Sequence, residues 1–365
     1  MSAASRRALE KEILAWMSEE RWKTDEARFE NLALELFRFQ AGACAPYRAL
    51  LEHLSVDPAG IKSWREIPAV PTGAFKELEI RSFPSSEKIH VFRTSGTAAA
   101  RRGCLYLDTL ELYEASLRRS FWRALLADLE PGSRVPIRVL APSPAESPDS
   151  SLSHMFGVAV EEWGDAQSGF DFEGAVLQRE KLERAIEGLT RPALICGTAF
   201  AFVHWLDALA DRGVALCPPA GSRLMETGGF KGRSRSVPRR ELYASIERHL
   251  GIPTRHIVNQ YGMTELGSQF YDSVLCDAGP RRKLEPPWAR VRIINPDTGV
   301  EAAPGQVGVI EIVDLANTGS VVAVKTSDLG RRVLGAGFPD GFEVLGRADG
   351  AELRGCSVAA DAMLA

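Results

Sequence analysis

The residues best suited to chemistry lie between Arg255 and Glu265, R-H-I-V-N-Q-Y-G-M-T-E. Ile257 and Val258 read as the end of a short buried strand, and Asn259 and Gln260 lead on to Tyr261, Gly262, Thr264 and Glu265. In open α/β sheets ligands gather where strands end and loops begin. A ring, a glycine, a hydroxyl and a carboxylate within five residues suit a nucleotide phosphate carrying a metal ion. On composition alone, many surface loops look the same.

Four further stretches carry comparable groups. Arg93-Thr94-Ser95-Gly96-Thr97 follows a strand-like segment and offers three hydroxyls and a glycine, a loop able to surround phosphate oxygens. It is not a Walker loop, which needs G-x-x-x-x-G-K-[ST]. Met225-Glu226-Thr227-Gly228-Gly229-Phe230-Lys231-Gly232 has paired glycines that let backbone approach a flat ligand. Lys325-Thr326-Ser327-Asp328-Leu329-Gly330 places a carboxylate just past an expected strand, where it can accept from ribose hydroxyls. Gly346-Arg347-Ala348-Asp349-Gly350 precedes Glu352-Leu353-Arg354-Gly355-Cys356-Ser357. Each taken singly reads equally well as a turn or flexible loop.

The elements that must position these groups follow from apolar spacing. Residues 5–18 and 25–53 are spaced as helices, and Pro68 and Pro71 then break the chain. Strands are expected at 89–92, 135–139, 193–196, 214–217 and 257–258, with helices at 108–129 (Asp108 as N-cap), 173–189, 199–212 and from Pro238 to Gly251. Strands alternating with helices from 89 to 260 predict a parallel sheet with crossover connections. After about residue 290 the texture changes to strands at 291–294, 307–313 and 321–325 joined by turns such as N-P-D-T-G, which is antiparallel β. The expected organisation is an α/β body over 1–290, an antiparallel β subdomain over 291–345 packed on it, and a short tail over 346–365.

A chain of 365 residues with 45% hydrophobic and 25% charged residues is ordinary for a globular protein. A formal net charge of -4 argues against a nucleic-acid or membrane-surface binder. No apolar run is long enough to span a membrane, and the charged, amphipathic N-terminus reads as a first helix rather than a secretion signal. The six cysteines are scattered without a C-x-x-C pair, which fits neither a disulfide framework nor a zinc site. A cytoplasmic protein is expected.

The order of the five motifs (T-S-G-T, G-G, Y-G-M-T-E, T-S-D-L-G, then G-R-A-D and R-G-C) resembles the adenylate-forming superfamily of acyl-CoA synthetases, luciferases and peptide-synthetase adenylation domains, over roughly residues 68–358. The G-G-F-K loop and a cysteine near the end are most similar to the acyl-protein synthetases of bacterial bioluminescence, the LuxE type. The resemblance implies the large N-terminal α/β domain of that superfamily, an accessory antiparallel β subdomain and a truncated C-terminal lid, the last lysine being Lys325.

It also implies roles. Thr94, Ser95, Gly96 and Thr97 would hold the β- and γ-phosphates of ATP. Gly228 and Gly229 would line the adenine, Tyr261 would stack on it, and Gly262 would allow its approach. Thr264 would bind the α-phosphate, Glu265 would ligate Mg²⁺, and Asp328 and Arg347 would hold the ribose. Asp349 takes the hinge position, and His154 would gate the carboxylate pocket, although a histidine beside Met and Phe also reads as a packed core residue. The family's phosphate loop continues with a lysine where this chain has A-A-A-R-R, so Arg101 or Arg102 would replace that charge, with a different donor geometry. Cys356 would accept the acyl group as a thioester, whereas Cys104, Cys196, Cys217 and Cys276 read as fillers.

The function so implied is ATP- and Mg²⁺-dependent activation of a carboxylic acid, a fatty acid by family, with transfer to Cys356 and on to a reductase or carrier-protein partner. Two alternatives are a short ligase that uses coenzyme A or a carrier-protein thiol, and a nucleotide-binding regulatory or scaffold protein without catalysis. The F-A-F-V-H-W stretch at 200–205 is a candidate lining for the acid.

Overall fold

The apolar spacing of the N-terminal segment produces three helices, α1 (Ala3–Ser18), α2 (Glu26–Ala43) and α3 (Ala45–His53). Asp25 caps α2, its carboxylate accepting from the Arg28 N–H at 2.9 Å. The single helix expected over 25–53 is broken because Pro46 cannot donate to a preceding turn, so the chain stops at Ala43 and restarts with the proline in the first turn.

The computed structural model describes residues 3–95, 101–228, 237–347 and Met363. They form a mixed α/β structure of two compact units. The described residues of 1–119, 263–270 and 284–365 make the first, and those of 120–262 and 271–283 the second.

In the second unit the buried strands Ile137–Leu140, Leu194–Thr198, Arg223–Thr227 and Ile257–Tyr261 pair side by side, all parallel. Both faces of such a sheet are covered, which is why these segments read as apolar runs. Thr198 ends one strand and caps the next helix, Ala199–Asp211, its hydroxyl accepting from Ala201 N–H at 3.1 Å. That helix supplies Phe202, Trp205, Leu206 and Leu209 to a core shared with Leu242 and Ile246 of helix Arg239–Leu250. The F-A-F-V-H-W stretch therefore packs into the core, apart from the half-buried Phe200 and the exposed His204.

Two expected elements differ. The first part of the helix expected over 173–189 turns at Gly174 into a hairpin, Phe172–Glu173 with Val176–Leu177, and the helix covers only Arg179–Glu187. Residues 214–217 form no strand. Leu216 N–H donates to the carbonyl of His249 at 2.7 Å, so a helix end takes the bond a ladder would have supplied.

In the first unit strands Ala289–Ile294, Gly308–Asp314, Ala323–Val333 and Gly341–Arg347 pair antiparallel in that order. Val70–Pro71 adds to the third in parallel. A separate hairpin joins His90–Arg93 to Cys104–Leu107. Helix Glu111–Leu125 begins three residues later than expected. Asp108 does not cap it, because Arg6 of α1 donates to both of its carboxylate oxygens at 2.8 Å. No described helix is long and apolar enough to cross a membrane.

A buried polar cluster sits among the second unit's strands. Glu226 accepts from Asn259 Nδ2 at 2.7 Å and from Tyr243 OH at 3.0 Å. Lys283 Nζ donates to Asp272 Oδ1 at 2.6 Å and to the Asn259 carbonyl at 2.7 Å, and Arg281 donates to Asp272 Oδ2 at 2.6 Å. Burial alone would push the Asp272 carboxyl up, but Lys283 and Arg281 together bring it below the ordinary value. Burial lowers Lys283 despite Asp272 beside it, and burial raises Glu226.

Removing one partner of the Asp272–Lys283 pair strands a buried charge. Asp272→Ala should therefore cost about 3–5 kcal/mol in denaturant unfolding; a loss no larger than that of an exposed ion pair would show the pair to be solvated. Glu226 gives a test of opposite sign. Its raised folded-state pKa contributes stability that is present below the unfolded carboxylate value and is lost as pH rises through the folded one. Unfolding midpoints of Glu226→Gln should therefore gain on wild type as pH rises, and a difference independent of pH would refute the assignment.

Candidate functional site

The first-unit hairpin places the opening of the T-S-G-T stretch. Arg93 pairs with Cys104, and the ladder continues for one residue beyond the strands. Thr94 N–H donates to the Gly103 carbonyl at 2.9 Å, and Gly103 N–H donates to Thr94 Oγ1 at 2.9 Å. Arg102 Nε closes the base of the loop on the Thr94 carbonyl at 2.6 Å. Arg101 instead reaches Glu77 at 2.6 Å, with 67% of its side chain exposed. Arg102 is thus tied to backbone, and Arg101 is the more accessible cation of the two. Ser95 follows, exposed.

Thr264 and Glu265 lie in a turn after the Ile257–Tyr261 strand, at 9% and 6% exposure. Two side chains, the last of strand Gly308–Asp314 and one three residues beyond it, hold this turn from behind. Asn317 Nδ2 donates to the Glu265 carbonyl at 2.9 Å. Asp314 Oδ2 accepts from Gly267 N–H at 3.0 Å and Ser268 N–H at 2.8 Å, and its Oδ1 accepts from Ser268 Oγ at 2.7 Å and Ala316 N–H at 3.0 Å. Burial raises the Asp314 carboxyl, opposed by these donors. Ser268 is itself approached by Ser116 Oγ at 3.0 Å, which accepts from Trp288 Nε1 at 2.9 Å.

Gly103 is the point where Thr94 and Glu265 meet. A Cβ built there would lie 3.2 Å from Thr94 Cγ2, 3.6 Å from Thr94 Oγ1 and 3.4 Å from Glu265 Oε1. A hydroxyl and a carboxylate from motifs far apart in sequence, Thr94 and Glu265, therefore approach one glycine. The same unit brings Asp328 and Arg347 together. They are register partners on neighbouring strands, with Arg347 Nε 3.7 Å from Asp328 Oδ1. Asp328 lies inside the strand Ala323–Val333, not past its end as expected, next to a register shift between Leu329 and Gly330.

In the second unit Gly228 ends the Arg223–Thr227 strand, exposed and with φ +80. Tyr261 closes the neighbouring parallel strand, half-buried, and Gly262 follows. His154 is half-buried in the first turn of helix Ser151–Trp163, beside buried Met155 and Phe156. Gly96, Thr97, Gly229, Asp349 and Cys356 lie outside the described residues. Of the other cysteines, Cys196 is buried and its thiol pushed up by that burial. Cys217 is exposed, so it fills no gap in a core.

Among the described residues no group of three or more His, Cys, Asp or Glu could hold a metal by itself. That donor set still fits Mg²⁺, which keeps several waters and is bound through one or two carboxylates plus substrate phosphates. Glu265, with the Thr94 hydroxyl at the same glycine, offers oxygen donors of that kind.

Sequence reasoning passed over Gly103, Asp314 and Asn317. The only local signal was the D-L-A-N-T-G turn after an apolar strand, which reads as turn chemistry rather than support for a site. Asn259 and Gln260, read as polar lead-in residues, are in fact buried in their strand and bonded inward.

Comparison with known proteins bears on the chain as a whole. The sequence model of the family described as acyl-protein synthetase, LuxE, matches residues 165–365. Among curated proteins none matches the chain. Solved structures of 2-hydroxyisobutyryl-CoA ligase are similar. One, holding 2-HIB-AMP and CoA in the thioesterification state, has TM-score 0.63 and 18% identity over 95% of this chain and 69% of that one. Another, in the postadenylation state with R3-HIB-AMP, has TM-score 0.65 and 16% identity over 88% of this chain and 68% of that one. ATP-bound MatB from Rhodopseudomonas palustris has TM-score 0.50 and 16% identity over 80% of this chain and 51% of its own. At such identities the likeness is one of fold. With the family match over more than half of its length, the chain belongs to the acyl-protein synthetase, LuxE family and is an AMP-forming ligase on the fold of the adenylate-forming enzymes.

Proposed function

We propose that this ligase activates a fatty acid with ATP, carries the acyl group on Cys356 as a thioester, and delivers it to a partner protein. One observation supports the reading above the others: Thr94 and Glu265 converge on Gly103, as a phosphate-binding hydroxyl and a metal-binding carboxylate would have to.

In the first half-reaction a substrate carboxylate oxygen attacks the α-phosphorus of ATP. The bond to the bridging oxygen breaks and pyrophosphate leaves, giving an acyl-adenylate. No proton is transferred, so the protein's task is to orient and to stabilise charge. Thr94, with Ser95, Gly96 and Thr97, grips the β- and γ-phosphates. Thr264 donates to the α-phosphate, Asp328 and Arg347 fix the ribose, and Tyr261, Gly228 and Gly229 form the adenine wall. Bound on Glu265, Mg²⁺ would neutralise negative charge on the phosphates. Burial of Glu265 strengthens such an interaction by excluding water around it. In the second half-reaction the Cys356 thiolate attacks the acyl carbonyl, the C–O bond to the phosphate breaks, and AMP leaves. Arg354 and Arg347, near in sequence, favour the thiolate. His154 is assigned to the mouth of the acid pocket.

Exchange of labelled pyrophosphate into ATP, dependent on added acid, reads the first half alone. Glu265→Gln should lower the rate about 100-fold or more, and a rate within a few-fold of wild type would remove Glu265 from the reaction. A panel of acids in the same assay identifies the substrate, with long-chain acids expected to support exchange best.

The second half is read separately. With ATP, Mg²⁺ and labelled fatty acid the protein should become covalently labelled, and Cys356→Ser should abolish the label while keeping exchange. Equal labelling of that variant would exclude Cys356 as acceptor. If label appears only on added coenzyme A or a carrier-protein thiol, the enzyme is a ligase for an external thiol.

A further inference from the structure

We propose that Asn317, with Asp314 behind it, is a positioning residue that sets the Glu265 carboxylate for its metal; this rests on the acid-activation reading above. Peptide units are planar, so fixing the orientation of successive units fixes the Cα–Cβ direction between them. Asn317 Nδ2 holds the carbonyl of residue 265 at 2.9 Å. Asp314 Oδ2 holds the N–H groups of residues 267 and 268 at 3.0 and 2.8 Å. These bonds fix the unit that leaves Glu265 and the two units after it. In the first of them Leu266 N–H also donates to the Met263 carbonyl at 3.2 Å, closing the turn that carries Glu265.

The turn from Asp314 to Asn317 is held just as firmly from its other side. Gln40 of α2 donates to the carbonyls of Asn317 at 2.8 Å and Thr318 at 3.3 Å, and accepts from Val322 N–H at 2.7 Å. Thr318 Oγ1 donates to Glu10 of α1 at 2.9 Å, and Ser82 Oγ donates to the Thr318 carbonyl at 2.9 Å. Asp314 and Asn317 are 0% and 4% exposed. The docking is also close: a Cβ at Gly267 would fall 2.6 Å from that of Ala316, so neither segment can slide past the other. The Asn317 amide donates to the Glu265 backbone. It acts through Glu265.

Partners that orient a metal ligand are typically worth about 10–100-fold in metal affinity. The test uses the full chain with ATP and Mn²⁺ as the probe, free and bound metal being told apart by electron paramagnetic resonance. Glu265→Gln, Asn317→Ala and Asn317→Asp are compared with wild type, with circular dichroism showing that each is folded at the temperature used. Asn317→Ala should weaken Mn²⁺ binding about tenfold or more, and Asn317→Asp, which sets an anion against the Glu265 carbonyl, at least as much. In pyrophosphate exchange the metal concentration for half-maximal rate should rise more than the rate at saturating metal falls. If Glu265→Gln weakens Mn²⁺ binding and folded Asn317 variants stay within twofold of wild type, the positioning role is overturned and the acid-activation reading stands. If Glu265→Gln itself leaves Mn²⁺ binding unchanged, the reading beneath it fails. If Asn317→Ala does not fold, Asn317→Asp carries the same comparison. Failure of both to fold would overturn the proposal, making the turn a folding element without a separable role.

Discussion

The turn from Asp314 to Asn317 is the constraint on which the first unit depends. A carboxylate at 0% exposure is tolerable only with its acceptor capacity used, since an isolated buried charge is far more costly than a paired or fully hydrogen-bonded one. Asp314 meets that condition with donors alone: three backbone N–H groups and one serine hydroxyl. The serine is in turn the end of a run from Trp288 through Ser116. Such networks are worth having only when complete, which makes this one a rigid joint rather than a soft contact.

That joint connects segments far apart in sequence. Residues 265–268 lie on one side. On the other are α1 through Arg6 and Glu10, α2 through Gln40, and the segment at Ser82. The family match begins at residue 165, after Thr94, Arg6 and Gln40, so the supports of the site extend into a part of the chain that the match leaves out. Their contribution is physical and local. They fix the turn that fixes Glu265, while Thr94 reaches the same place through a hairpin whose last rung is Gly103.

Much of this architecture is legible in the amino-acid sequence, for identifiable reasons. The parallel strands of the second unit are short apolar runs followed by helices, and a period change after residue 290 marks the antiparallel sheet. The departures have two sources, turn chemistry at Pro46 and Gly174 and tertiary partners at residues 214–217 and Asp108. Pro46 split a continuous helical pattern, Gly174 converted a helix start into a hairpin, and residues 214–217 gave their backbone bond to a helix end. Asp108 has the chemistry of an N-cap, but the helix starts only at Glu111 and a bidentate arginine from α1 takes the Asp108 carboxylate. The site shows the same split. Thr94 and Glu265 stand out by motif order. Gly103 and Asn317 do not, because their importance comes from what lies opposite them in space, and a single sequence carries no record of that.

The two halves of the reaction place different demands on such a scaffold. Adenylation moves no proton, so it needs fixed donors and a fixed metal ligand rather than a titrating acid or base. In the first unit the turn that carries Glu265 is held in this fixed way by buried polar groups. The proposed transfer to Cys356 has the opposite requirement, because a thiolate would have to reach a carbonyl held still a moment earlier, with AMP then leaving. On the proposed reading that demand falls on Cys356, which is remote in sequence from the turn that holds Glu265. On the same reading the joint at Asp314 would stay closed throughout, and Glu265 would not have to move between the two half-reactions.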